Sequence, residues 1–99
     1  MCGMDMVLAG RMLDVVAAIP RGRVCTYGDV AAAAGSPSAR LAGRVLAELA
    51  DDDTPWFRVL HADGTFAPQL AARQAALLGS EGVAVRNNRV RLRDYRYRA

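Results

Sequence analysis

Two short helical patterns separated by Gly35-Ser36-Pro37 constrain the fold of this chain more than any other stretch. Thr26 stands where a side-chain oxygen can cap the first helix, predicted over about 28–34, and Gly35 stops it. Ser36 caps the second, over about 38–50. Pro37 takes its first position, where a missing backbone N–H removes no helical bond. Two helices joined by so short a turn form the helix-turn-helix outline. The second helix divides into three faces. Leu41, Val45 and Leu49 fit a core stripe, Arg40, Arg44 and Glu48 lie four apart on a polar row, and Ala39, Ala42 and Gly43 form a face of small residues. Glycine inside a helix costs about 1 kcal/mol relative to alanine. Close approach to a neighbouring helix or to a nucleic-acid groove would each justify it, and spacing alone leaves both open.

The flanking segments complete an α+β pattern. Met6, Leu8, Met12, Leu13, Val15, Val16 and Ile19 recur at helical spacing over 5–19, ended by Pro20. Arg21-Gly22-Arg23 reads as a turn and Val24-Cys25-Thr26-Tyr27 as an extended lead into the next helix. Phe57–Leu60 reads as a strand, followed by a turn at Asp63-Gly64 and a helix over about 69–80 with Glu81-Gly82 as its C-cap. Val83-Ala84-Val85, a turn at Asn87-Asn88, and Val90-Arg91-Leu92 predict a closing hairpin. The expectation is one small helical domain over 1–99 carrying a winged helix-turn-helix. At 53% hydrophobic the chain buries a core, and no repeat or linker interrupts it.

The charge is +3 and all 13 basic residues are arginine. Guanidinium binds phosphate in bidentate fashion and stacks on bases. The basic residues gather at the end of the chain, where six arginines between Arg86 and Arg98 face only Asp94, while Asp51-Asp52-Asp53 is acidic. No apolar run approaches the roughly 20 residues of a membrane span. Met1-Cys2-Gly3-Met4-Asp5 lacks the pattern of a secretory signal, so a cytoplasmic protein is expected. Cys2 and Cys25 form no metal-binding pattern and are expected as free thiols, with no metal or cofactor. His61, the sole histidine, is expected at the surface.

Thr54-Pro55-Trp56-Phe57-Arg58-Val59-Leu60 resembles the Pro-Cys-His-Arg-Val active-site signature of O6-alkylguanine-DNA alkyltransferases, with Trp56 in place of the cysteine and Phe57 in place of the histidine. Val24 to Ala31, Gly35-Ser36-Pro37 and Ala39-Arg40-Leu41-Ala42-Gly43 are similar to the DNA-binding helix-turn-helix of that family. Arg73-Gln74, Leu77-Leu78 and Glu81-Gly82-Val83 are similar to the end of the same domain. The resemblance spans roughly 6–92 and implies the fold of the alkyltransferases' C-terminal domain. An indole has an N–H donor and no lone pair for attack. Tryptophan at that position points to the alkyltransferase-like branch, which binds O6-alkylguanine in DNA without repairing it.

The resemblance also implies roles. Tyr27 crowds the phosphate and helps rotate the damaged nucleotide out, and Arg40 fills the gap in the stack, as base flipping requires. Ser38, Ala39, Ala42 and Gly43 lie against the minor groove. The Pro37–Arg40 interval is one residue shorter than in the family, which makes Arg44 the alternative finger. Trp56, Pro55, Phe57, Arg58 and Tyr27 form the lesion pocket, Arg58 in a mostly structural role, and Glu81, with no histidine to orient, serves a helix end. The implied partners are duplex DNA containing O6-alkylguanine and nucleotide excision repair proteins, met as a monomer. Without the family, Tyr27 and Trp56 read as core aromatics and Arg40 as a solvated helical arginine. Two other functions compete. A winged-helix regulator would read undamaged duplex, although Ala39, Ala42 and Gly43 are poor base readers. An alkyltransferase could use Cys25, which has no neighbouring base in sequence.

Overall fold

The computed structural model describes residues 5–98; Cys2 lies outside them. Helix α1 (Met6–Ala17) starts at Asp5, whose carboxylate accepts from the backbone N–H groups of Val7 and Leu8. Strand β1 (Cys25–Thr26) leads directly into α2 (Tyr27–Ala33). Thr26 caps α2 as the sequence suggests, within a full capping box. Its hydroxyl accepts from Asp29 N, and Asp29 accepts from Thr26 N, each at 3.0 Å. Gly35 ends the helix at φ 89°, a left-handed conformation that costs glycine little.

Helix α3 (Ala39–Leu49) begins later than Ser36-Pro37 implies. Its N-cap is Ser38, whose hydroxyl accepts from Leu41 N at 3.0 Å. Ser36 instead braces the turn, accepting from Ser38 N at 3.1 Å, and Pro37 stays outside the helix. The extended Ser38 (φ −102°, ψ 96°) leaves room for only one cap, and it lies next to the helix.

Beyond α3, residues 56–58 are not a strand. Trp56–Arg58 forms a 3-10 turn, closed by hydrogen bonds from Trp56 N to Thr54 O and from Arg58 N to Pro55 O. Strand β2 is only Val59–Leu60, and it pairs in parallel with β1, Cys25 opposite Val59 and Thr26 opposite Leu60. A second 3-10 turn (Pro68–Leu70) precedes α4 (Ala71–Ser80). The hairpin is β3 (Val85–Arg86) and β4 (Arg89–Val90), turned by Asn87 and Asn88 at φ 54° and 57°. A short helix α5 (Leu92–Tyr95), unannounced by the sequence pattern, follows. The chain then returns to β1, where Tyr97 N donates to Val24 O at 2.7 Å and Val24 N to Tyr95 O at 2.9 Å.

Two apolar clusters organise these elements. The first holds Met12, Val16, Ile19, Val30, Val45 and Val59 between α1, α2 and α3. The second gathers Val24, Leu60, Phe66, Leu78, Val83 and Val90 under α4 and the hairpin. The β1–β2 pair runs between them, giving Cys25 and Val59 to the first cluster and Leu60 to the second. Gly64 is required where the hairpin closes. It sits at φ 84° and accepts from Val90 N at 2.9 Å, and any side chain there would run into the Val90 carbonyl. Among the described residues no helix is long and apolar enough to cross a membrane.

Candidate functional site

A 3-10 turn sends successive side chains about 120° apart, and this decides what the Trp56-Phe57-Arg58 segment does. Trp56 packs on the first cluster and lines an open cleft of about 280 Å3. Phe57 points into the second cluster and meets the indole edge-on, with ring centroids 6.0 Å apart. Arg58 lies over the Phe57 ring, its guanidinium carbon 5.3 Å from the centroid. Its Nε and Nη2 donate to the two oxygens of Glu81, and its Nη1 to Ile19 O at 2.9 Å. Of the five residues assigned to the pocket, only Trp56 and Tyr27 line the cleft. Phe57 and Arg58 are directed away by the turn, and Pro55 forms its corner.

The Tyr27 ring also lines the cleft. Burial raises the pKa of its phenol. Tyr27 reaches this place because β1 ends at Thr26 and α2 starts at once. His61, one residue past β2, lies at the same end of the strand pair. It is exposed, as expected, with its ring 5.4 Å from that of Tyr27. Gly43, Leu46, Ala47 and Ala50 of α3 and its C-terminal end form the floor. A methyl at Gly43 would sit 3.9 Å from the Tyr27 ring, an ordinary contact. Intramolecular packing therefore does not demand glycine here; its absence of a side chain keeps the cleft open.

The remaining lining residues are Leu70, at the end of the second 3-10 turn, and Arg73, in the first turn of α4, neither of them expected in the site from the sequence. The Arg73 guanidinium lies over the Trp56 ring, 5.6 Å from its centroid. One signal was available: an arginine in the first turn of a helix opposes the helix dipole. Gln74, next to it, is buried. Its amide donates to Phe57 O and Val59 O, each at 3.0 Å, clamping the motif segment to α4. A glutamine in a helical pattern gives no such warning.

On α3 the small face divides. Ala39 is exposed and Gly43 half-buried, whereas Ala42 is fully buried in the first cluster. The core stripe of α3 runs through Ala42, Val45 and Leu46, so Ala42 has no surface to present to a groove. Ser38 is occupied as N-cap. Arg40 is exposed and has no ion-pair partner among the described residues, while Arg44 pairs with Glu48 at 2.6 Å. Asp51 accepts from Asp53 N and the Thr54 hydroxyl, so the acidic triplet builds the turn before Pro55.

Glu81 does more than end a helix. Besides Arg58 it accepts from Gly22 N at 3.0 Å, tying α4 to the turn after α1. The hydrogen bond from Arg58 lowers its pKa, outweighing burial. Burial resists ionisation of Asp29, but hydrogen bonds from Arg96 and Thr26 prevail and its pKa is lowered. Cys25 is fully buried, and its thiol donates to Tyr97 O. Burial first, then the Asp29 charge, pushes its pKa up to about 11. A thiol that is protonated and sealed is no nucleophile, which removes the reading of Cys25 as an alkyl acceptor.

The family model for the DNA-binding domain of 6-O-methylguanine DNA methyltransferase matches residues 8–83. A DNA base-flipping protein of Escherichia coli (strain K12) is 46% identical over 93 residues, covering 88% of this chain and 71% of that protein. Alkyltransferase-like protein 1 of Schizosaccharomyces pombe is 37% identical over 81 residues, covering 76% of this chain and 75% of the relative. The crystal structure of S. pombe Atl1 in complex with damaged DNA containing O6-carboxymethylguanine superimposes with a TM-score of 0.87 at 29% identity. It covers 99% of this chain and 100% of that one. The chain thus belongs to the family of the 6-O-methylguanine DNA methyltransferase DNA-binding domain, among its base-flipping and alkyltransferase-like members.

Proposed function

We propose that this protein binds O6-alkylguanine in duplex DNA, turns the damaged nucleotide into the cleft between Tyr27 and Trp56, and holds it there without alkyl transfer. The observation that carries the reading is the position of Trp56. It lines the cleft, and by the sequence resemblance it takes the place of the cysteine in the alkyltransferase signature. An indole and a phenol ring facing one opening offer stacking and burial to an extruded base. Tyr27 starts α2, where it can press on the backbone of the flipped nucleotide, and Arg40, exposed on α3 and without an ion pair among the described residues, fills the gap left in the stack. Ala39 and Gly43 allow the helix close approach to a groove.

With no alkyl acceptor, the complex is a marker. The proposed partners are nucleotide excision repair proteins that act on the held site, and the proposed setting is the cytoplasm, on the nucleoid while bound. A monomer of one domain suffices for this role. Fluorescence anisotropy with two duplexes differing in one base tests the reading. Binding should be tighter to the duplex with O6-methylguanine than to the undamaged one. Equal affinity would favour a regulator of ordinary duplex and reject lesion recognition.

A further inference from the structure

The cleft holds one charge. Tyr27, Gly43, Leu46, Trp56 and Leu70 present carbon and a phenol, and Arg73 alone carries a formal charge. Its guanidinium is exposed, lies over the indole, and has no carboxylate within ion-pair distance among the described residues. The other arginines with clear structural roles differ. Arg58 and Arg96 each grip a carboxylate with two nitrogens. Arg73 also sits in the first turn of α4, which has no acidic residue and no side-chain cap. The positive end of a helix disfavours a cation and favours an anion. A cation there therefore raises the cost of the helix end while strengthening one local property, attraction for negative charge beside Trp56.

We infer that Arg73 makes the cleft selective for guanine adducts whose O6 substituent ends in an anion, such as a carboxymethyl group, over neutral adducts of equal size. The inference rests on the lesion-binding reading above and names the class of adduct. The ring holds the guanidinium in place by cation–π attraction and leaves its N–H edge free. A carboxylate on the adduct would accept from that edge in a charge-assisted bond, the stronger kind. Without Arg73 the same carboxylate would lose water against carbon surface and gain nothing in return. The residue should therefore invert a preference as well as add affinity.

Anisotropy titrations of the full chain test this with four duplexes of one sequence. The central base is guanine, O6-methylguanine, O6-(2-hydroxyethyl)guanine or O6-carboxymethylguanine. The hydroxyethyl adduct is the neutral match for carboxymethyl in length. We expect carboxymethyl to bind about tenfold to a hundredfold tighter than hydroxyethyl, the scale of one charge-assisted hydrogen bond. In Arg73→Gln the order should reverse, with methyl affinity changing less. In Arg73→Lys, which keeps the charge and loses the planar fork, part of the preference should survive. Lesions preferred over guanine with no carboxymethyl advantage, or an advantage kept in Arg73→Gln, overturns the inference and leaves lesion binding standing. Equal affinity for all four overturns both.

Discussion

The Arg58 guanidinium holds the Glu81 carboxylate through two parallel hydrogen bonds, Nε to Oε1 at 2.9 Å and Nη2 to Oε2 at 2.5 Å, across 23 residues of chain. The Glu81 side chain is 4% exposed. Arg58 also reaches Ile19 O and Glu81 also reaches Gly22 N. The pair thus fastens the motif turn, the end of α1 and the end of α4 to one point. Arg58→Ala should cost about 3–5 kcal/mol in chemical denaturation, because it strands a buried carboxylate. Glu81 has a lowered pKa when folded. Its stabilising contribution is therefore complete above the ordinary glutamate value of 4.5 and disappears as pH falls through the lower folded value. The melting-temperature gap between wild type and Arg58→Ala should narrow as pH drops below that point, and a gap constant with pH would contradict the assignment.

Restoring the cysteine should not restore chemistry. In Trp56→Cys the thiol would face the cleft, but Phe57 points into the second cluster and Glu81 is committed to Arg58. Among the described residues no histidine or carboxylate lines the cleft to form the thiolate. Mass spectrometry after incubation with excess O6-methylguanine duplex should show no added methyl. Trp56→Ala should weaken lesion binding by about 1–3 kcal/mol, the range of a lost stacking surface.

Arg40 and Arg44 are separated by their partners. Arg44 already pairs with Glu48, whereas Arg40 has no ion pair among the described residues. Arg40→Ala should weaken binding to lesion duplex by about 1–3 kcal/mol and Arg44→Ala by less. The opposite order in a titration would make Arg44 the finger.

Two glycines give opposite outcomes on conversion to alanine. Gly64→Ala, with positive φ and a carbonyl in the way of the new methyl, should lose on the order of 2 kcal/mol. Gly10→Ala, inside α1 with open space at that point, should gain about 0.5–1 kcal/mol. Thermal melts of the two variants check both signs.

The helices were legible because capping and periodicity are local. Thr26, Gly35 and the Asn87-Asn88 turn act as read. Ser36 misled because two serines compete to cap α3, and the nearer one takes the helix. Residues 57–58 misled for a different reason. Alternating apolar residues read equally well as strand, and only the Pro55 corner makes them a turn. The site was half legible. Tyr27 and Trp56, which the motif singles out, both line the cleft, whereas Ala42, Phe57 and Arg58 face elsewhere, and a direction is a property of the fold around a residue. Arg73 and Gln74 escaped because their partners, Trp56 and Phe57, each lie 17 residues away.

Two groups stand apart among the arginines of this chain. Arg58 and Arg96 are locked to carboxylates, the former nearly out of water, and hold the fold together. Arg40 and Arg73 have no ion pair among the described residues and are exposed. Dissolved ions screen buried pairs little and compete strongly for exposed contacts to a polyanion. Rising ionic strength should therefore strip the protein from nucleic acid while its native structure stays intact. That leaves a window of salt in which it is folded, released and ready to search again.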